Sequence, residues 1–259
     1  MSIQSQLDIV RLRAEGQGVR VSTPLVDSSR GMKMLPSVLS MIAGSSDIIS
    51  FLGLGGLFTA HITGNLILLA AHMVNGTGVK TVHLLSVPVF VAVLGLTRLL
   101  VAGLEKAGLA SLRPLLLLQL LLLTGFLAFS VAAGPSISPD KAITILAGML
   151  GVSAMAVQNA MVVMSLKDSP STTVMTTNIT RFVMDVGEVL LRDEPDKVAE
   201  AGRRARHTFP AIIGFSCGAA LGAACFAVAG LWSLMLPTTL ALLALAISLA
   251  APEHNQRHV

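Results

Sequence analysis

An ionisable side chain set among apolar residues is the first chemistry this sequence offers. Asp47 stands in the run Leu35 to Phe58 with apolar residues on either side. A lone carboxyl in such surroundings is by default a candidate to bind a proton, a cation or a cationic part of a substrate. The alternative is a buried hydrogen bond between helices. Beyond it lies His61-Ile62-Thr63-Gly64-Asn65, preceded by Gly53, Gly55 and Gly56. Glycines permit a break in a helix or a close backbone approach. Thr63 and Asn65 would then offer oxygen and amide groups beside freed carbonyls, as interrupted membrane helices do when they build small-solute and ion sites. A polar turn at a membrane surface, capped by Thr63 or Asn65, is the competing reading.

A second set echoes the first. Gln158 and Asn159 take the place of the acidic residue, and Thr176, Thr177 and Asn178 match the later turn. The offset is 112 from Asp47 to Asn159 and 113 from Asn65 to Asn178. A near-constant offset points to an internal repeat, the usual plan of secondary transporters. Arg181, Asp185 and Glu188 follow at helical spacing, so Arg181 and Asp185 are expected to pair on one face; a solvated amphipathic helix explains the same charges. The candidate substrate- or ion-binding set is therefore Asp47, His61, Thr63, Asn65, Gln158, Asn159, Thr176, Asn178 and Arg181.

Other patterns carry less. His61, His72 and His83 recur every 11 residues, but Asn75-Gly76-Thr77-Gly78 breaks any common helix, so no metal is expected. Cys217 and Cys225 lie in one apolar helix, too far apart for a disulfide, and read as packing residues. Gly53-x-Gly55-Gly56 has no strand before it and is not a nucleotide loop. No Ser-His-Asp, paired-carboxylate or zinc-protease spacing stands out, so neither an enzyme nor a cofactor is expected.

These residues need helices long enough to hold them in lipid. Of 259 residues, 53% are apolar and only 12% charged, and the mean hydropathy is +0.78, against about a quarter charged in a soluble domain. The charges crowd into residues 1–33, Arg192 to His207 and the C-terminus. Between them lie runs that match the roughly 20 helical residues a bilayer needs: Leu35 to Phe58, Val82 to Leu104, Pro114 to Ala133, Ala142 to Leu166, Thr208 to Gly230 and Trp232 to Ala251. Two odd pieces, Thr59 to Val74 and Ser171 to Leu191, are respectively too short and too polar for a lipid-facing helix.

The expected fold is thus an all-α, polytopic helical membrane protein. It has six full transmembrane helices plus two short or re-entrant segments, arranged as an internal repeat. Eight crossings would give parallel halves; six give inverted halves with re-entrant tips entering from opposite faces. Both obey the positive-inside rule, and the count favours six slightly. Residues 1–33 form a disordered basic cytoplasmic arm, 34–251 one membrane domain with halves of about 34–133 and 141–251, and 252–259 a tail. The net charge of +4 reflects retained cytoplasmic Lys and Arg, not nucleic-acid binding. The partners expected are the lipid bilayer and an unknown small solute or ion. Gly214-x-x-x-Gly218-x-x-x-Gly222 serves internal packing rather than dimerisation, which leaves a homo-oligomer allowed but not required.

At Gly44-x-x-Asp47, Phe51 to Phe58 and His61 to Asn65, the chain resembles the YoaK-like family of bacterial membrane proteins. Gln158-Asn159-Ala160 and the later Thr-rich turn fit that resemblance, which runs from about Leu35 to Ala251. Thr177 stands where the family commonly repeats a Gly, and Val162-Val163-Met164 where a basic residue is usual. The family is largely uncharacterised. The resemblance implies a multi-pass bacterial inner-membrane protein with a permease-like role and names no substrate. A small-solute or ion-coupled secondary transporter is the leading expectation, and a non-transporting partner or sensor subunit is the runner-up.

Overall fold

A backbone in hydrocarbon must satisfy its own hydrogen bonds, and the chain does so with helices almost throughout. The computed structural model describes residues 28–76, 80–134, 141–191 and 194–251. The expected tail 252–259 and residues 1–27 of the expected arm lie outside the described residues. The helices are α1 (Ser28–Gly53), α2 (Ile62–Val74), α3 (Thr81–Lys106), α4 (Leu112–Ala132), α5 (Ala142–Ser165), α6 (Met175–Leu191), α7 (Pro195–Ala229) and α8 (Met235–Ala250), with a 3-10 turn, Gly230–Leu234, before α8.

Several bounds differ from the sequence expectation. α1 begins at Ser28, inside the expected arm, and ends at Gly53, five residues before Phe58. Gly55 and Gly56, at φ of 72° and 90°, end it by turning the chain back, which L side chains resist. The charged stretch before Thr208 is not a separate piece but the first turns of α7, which starts with Pro195 in its first turn, where a missing N–H costs nothing.

Helix directions follow from which residues meet. Gly214 abuts Ser37, Gly218 abuts Met41 and Gly222 abuts Ser45, so α1 and α7 run parallel. Gly31 faces Ile247 while Gly53 faces Leu231, so α8 runs against α1 and the chain reverses at the 3-10 turn. Arg113 at the start of α4 reaches the carbonyls of Ser248 and Ala251 at 3.3 and 2.8 Å. Ser111 before α4 meets Ser165 at the end of α5, hydroxyl to hydroxyl at 2.8 Å. Gly148, near the start of α5, sits against Leu57 with Val82 of α3 beside it, so α3 runs with α5. We call the side where α1 begins the near face. α1, α4 and α7 run away from it, and α3, α5 and α8 run towards it. Five helical stretches are long and apolar enough to cross a bilayer. The last of them, 56 residues from Pro195 to Ala250, contains the reversal and accounts for two crossings, giving six.

The short helices do not cross. Residues Leu54 to His61 dip inward from the far face to the depth of Asp47, and α2 climbs back. Gly56 therefore neighbours both Leu68 of α2 and His83 at the start of α3, and the His72 and His83 rings lie 5.4 Å apart. Leu166 to Val174 dip from the near face to the depth of Gln158, and α6 returns to the near face, where Asp185 meets Arg204 of α7. Each half thus reads crossing, re-entrant hairpin, crossing, crossing, and the two halves are inverted.

The halves are also intertwined. α1 packs on α7 and α8 of the other half, and α5 packs on α3 and α4. α2 stays with α3, and α6 with α7. The α1–α7 seam is closest because glycine leaves the backbones in contact. A Cβ at Gly44 would collide with the Phe215 carbonyl oxygen, and one at Gly218 with the Met41 carbonyl oxygen. Such close approach supplies dispersion where lipid removes the hydrophobic drive between helices. The Gly214/Gly218/Gly222 stripe does pack internally.

Gly218→Val is expected to destabilise the protein by about 3 kcal/mol or more, since backbone rather than a movable side chain blocks it. Gly187→Ala, on α6 with nothing within 4 Å of a new Cβ, is expected to be neutral or slightly stabilising. Thermal unfolding in detergent, read side by side for the two variants, checks the contrast; equal midpoints would contradict the seam.

Candidate functional site

The first hairpin tip is built around Asp47, which is 4% exposed. Its Oδ1 accepts from the backbone N–H groups of Thr59 (2.8 Å) and Ala60 (2.6 Å) and from the Thr59 hydroxyl (3.1 Å). Its Oδ2 accepts from the His61 backbone N–H at 3.2 Å and lies 2.7 Å from His61 Nδ1. With the carboxylate ionised, that ring nitrogen must carry the proton and donate. Five donors on one carboxylate offset the cost of burying its charge. They also satisfy N–H groups that have no helical partner just before α2 begins.

Asn65 closes the same tip from within. Its Nδ2 donates to the Phe58 carbonyl at 2.7 Å, and its Oδ1 accepts from the Phe58 N–H at 2.9 Å. Phe58 stacks on Phe51 with ring centroids 4.9 Å apart. Lys80 Nζ donates to the Gly55 carbonyl at 2.8 Å and ties the turn to the start of α3. The His61 side chain keeps 40% of its surface exposed, which leaves the carboxylate a proton path.

The second tip repeats the plan with neutral groups. Gln158 Nε2 donates to the Thr172 hydroxyl and to the Leu39 carbonyl of α1, both at 2.9 Å. Gln158 Oε1 accepts from Gln119 Nε2 at 2.6 Å. Asn159 Oδ1 accepts from the Thr173 hydroxyl at 2.7 Å, and Asn178 Nδ2 donates to the Ser171 carbonyl at 2.6 Å. The Asn178–Ser171 and Asn65–Phe58 pairs share a separation of seven residues. Asn178 Oδ1, unlike Asn65 Oδ1, has no hydrogen-bond partner among the described residues.

The two tips do not meet. Gln158 sits at the level of Leu39, eight residues before Asp47 on α1, which places the tips about 12 Å apart in depth. Asp47, His61 and Asn65 form one cluster and Gln158, Asn159 and Asn178 another. Thr63 and Thr176 are exposed and join neither. The expected Arg181–Asp185 pair is not made. Asp185 instead accepts from Arg204 Nε at 2.8 Å, because α7 lies across that face of α6. Arg204 also reaches Glu188 at 2.9 Å and Glu200 at 3.0 Å. The Asp185 hydrogen bond, and then the charges around it, push the Arg204 pKa above its ordinary value, so the cluster's cation is permanent. Arg181 is exposed to solvent. Among the described residues no three His, Cys, Asp or Glu side chains gather as a metal site; His72 meets His83, whereas His61 faces Asp47.

Sequence reasoning passed over Thr59, Thr172, Thr173 and Gln119. The signal for the threonines was present. Thr59 and Thr172 differ by 113, the offset that relates Asn65 to Asn178. Gln119 shows only as one amide in an apolar run.

Asp47→Ala is expected to lower stability by about 3 kcal/mol or more by orphaning three backbone N–H groups at once. Asp47→Asn should cost less, since it keeps one acceptor oxygen but turns an amide N–H against that of His61. Unfolding midpoints in detergent rank the three proteins; an unmoved Asp47→Ala midpoint would show that the clamp carries no weight.

No curated protein and no solved structure matches the chain. A protein family does, over residues 35–247, which takes in both tips and most or all of each crossing. The chain belongs to the family described as "Protein of unknown function (DUF1275)".

Proposed function

We propose that this multi-pass membrane protein is a secondary transporter for a small solute or ion. The observation that supports this best is a pair of re-entrant hairpins with polar tips, entering from opposite faces of inverted halves. Inverted repeats with interrupted helices are the recurrent plan for alternating access. The bodies that rock here are not the sequence halves. Packing gathers α1, α6, α7 and α8 into one body and α2 to α5 into the other.

Each tip joins the two bodies. Asp47 on α1 grips the loop that leads into α2. Gln158 on α5 grips Thr172, which leads into α6. Protonating Asp47 cancels charge-assisted bonds to three N–H groups and loosens the far-face clamp. That couples opening to an ion, with His61 delivering the proton. The near face carries Lys33, Lys106, Arg113, Lys167, Arg203, Arg204 and Arg206, against Lys80 and Lys141 on the far side. The positive-inside rule then makes the near face cytoplasmic in a bacterial inner membrane. This reading gives the protein no covalent chemistry.

A second reading, a non-transporting partner or sensor subunit, draws on α7. Its first ten or so residues project roughly 15 Å past the start of α1 and expose Arg203.

Paired spin labels discriminate. Labels at Val131 and Trp232 span the two bodies at the far face, and labels at Lys33 and Lys106 span them at the near face. Asp47→Asn, which removes the charge, is expected to widen the far-face distance distribution and narrow the near-face one. Distances at both faces unchanged by the substitution would sink the transporter in favour of the docking subunit.

A further inference from the structure

The two tips differ by one negative charge. In the first, the carboxylate of Asp47 takes the N–H groups of Thr59, Ala60 and His61. In the second, the amides of Gln158 and Asn159 bind threonine hydroxyls instead. The backbone N–H groups of Thr172 and Thr173 donate to nothing among the described residues, although these residues are only 1% and 2% exposed. Val174 N–H is taken by the Ser171 hydroxyl at 3.0 Å. Buried donors without acceptors are rare and call for a partner.

The space beside this tip is cationic. A cavity of about 260 Å³ is lined by Asn159, Lys167, Ser169, Ser171 and Thr172. It shares Lys167 and Ser169 with a larger cavity of about 500 Å³ that opens at the near face beside Arg181, Arg204 and His207. Arg204 is paired with Asp185, which lines the larger cavity, and with Glu188 and Glu200, which line neither. Lys167 and Arg181 have no ion-pair partner among the described residues, and Asp168 is the one unpaired carboxylate that lines either chamber. Of the charged residues that line the two cavities, Lys167, Arg181 and Arg204 stand against Asp168 and Asp185, an excess of one positive charge with His207 neutral.

We propose that this near-face pocket binds a small oxyanion, a carboxylate or a phosphate group, between Lys167 and the Ser171–Thr172 tip. The ligand supplies the negative charge that the Asp47 carboxylate supplies to the other half. Arg181 draws it in and Lys167 holds it against the hydroxyls. As the transported solute this anion rests on the transporter reading; as a bound ligand it does not.

A thiol at the shared wall tests it. Ser169→Cys is placed in a background of Cys217→Ala and Cys225→Ala and treated from the near face with methanethiosulfonate reagents of opposite charge. The anionic reagent is expected to react about tenfold faster than the cationic one. Lys167→Gln with Arg181→Gln should erase that preference, and both residues are exposed, so folding is spared. Millimolar sodium acetate should slow a neutral reagent several-fold, and only while Lys167 is present. In nanodiscs, protection by phosphatidylglycerol in place of acetate would assign the oxyanion to a lipid headgroup. Labelling blind to charge, or protected by neither acetate nor phosphatidylglycerol, would overturn the site. Because the assay reads binding alone, its failure leaves the spin-label result standing, and its success with fixed distances would mark an anion-binding subunit.

Discussion

Hydrocarbon cannot hydrogen-bond a peptide group, and every break in a membrane helix must answer to that fact. Here the break after α1 is answered by a single carboxylate. Asp47 gathers three consecutive backbone N–H groups, one hydroxyl and an imidazole. The chain can therefore leave its helix at Gly53, turn inside the membrane and start again at Ile62. Remove the carboxylate and the turn has no reason to lie at that depth. The depth of the turn then decides whether α2 returns to the far face, and so whether the halves are inverted.

The glycine seam is the second constraint, and it works with the first. Because α1 packs against α7 with backbones touching, α1 is committed to the other half of the chain. The hairpin that follows it is committed to its own half through α2 and α3. Asp47 thus spans the join between two interlocked bodies rather than a spot inside one. A buried ionisable group at a join is positioned to make the join respond to protonation. At the other join, uncharged amides hold the tip through threonine hydroxyls, and among the described residues nothing takes the backbone N–H groups of Thr172 and Thr173. The internal repeat supplies the frame, and the difference between its copies supplies the chemistry.

Much of the fold was legible because its signals are compositional. Apolar run lengths gave six clear spans, the 112–113 offset gave the repeat, and the Lys/Arg count tipped the choice between six and eight crossings towards opposed hairpins. Asp47, His61 and Asn65 were found as a group because an acid among apolar residues and a Gly-rich break both show in one dimension. Three things stayed hidden. Which threonine turns inward depends on the hairpin's rotation, so Thr63 and Thr176 were chosen although Thr59, Thr172 and Thr173 make the contacts. Arg181 and Asp185 have ideal spacing on one helix, yet Arg204 arrives from another helix and takes the carboxylate. The 12 Å between the tips depends on how far α1 and α5 slide past each other, which no local pattern records.

The re-entrant path of α2 and α6 is the claim on which the rest turns, and sidedness of labelling tests it most directly. In a cysteine-free background, single cysteines replacing Asn75, Trp232, Lys167 and Glu194 are probed in sealed vesicles with an impermeant thiol reagent from each side. The account predicts that Asn75 reacts from the same side as Trp232, and that Lys167 and Glu194 react together from the other. If Asn75 instead labels with Lys167, α2 crosses the membrane, the halves run parallel with eight crossings, and the opposed tips do not exist.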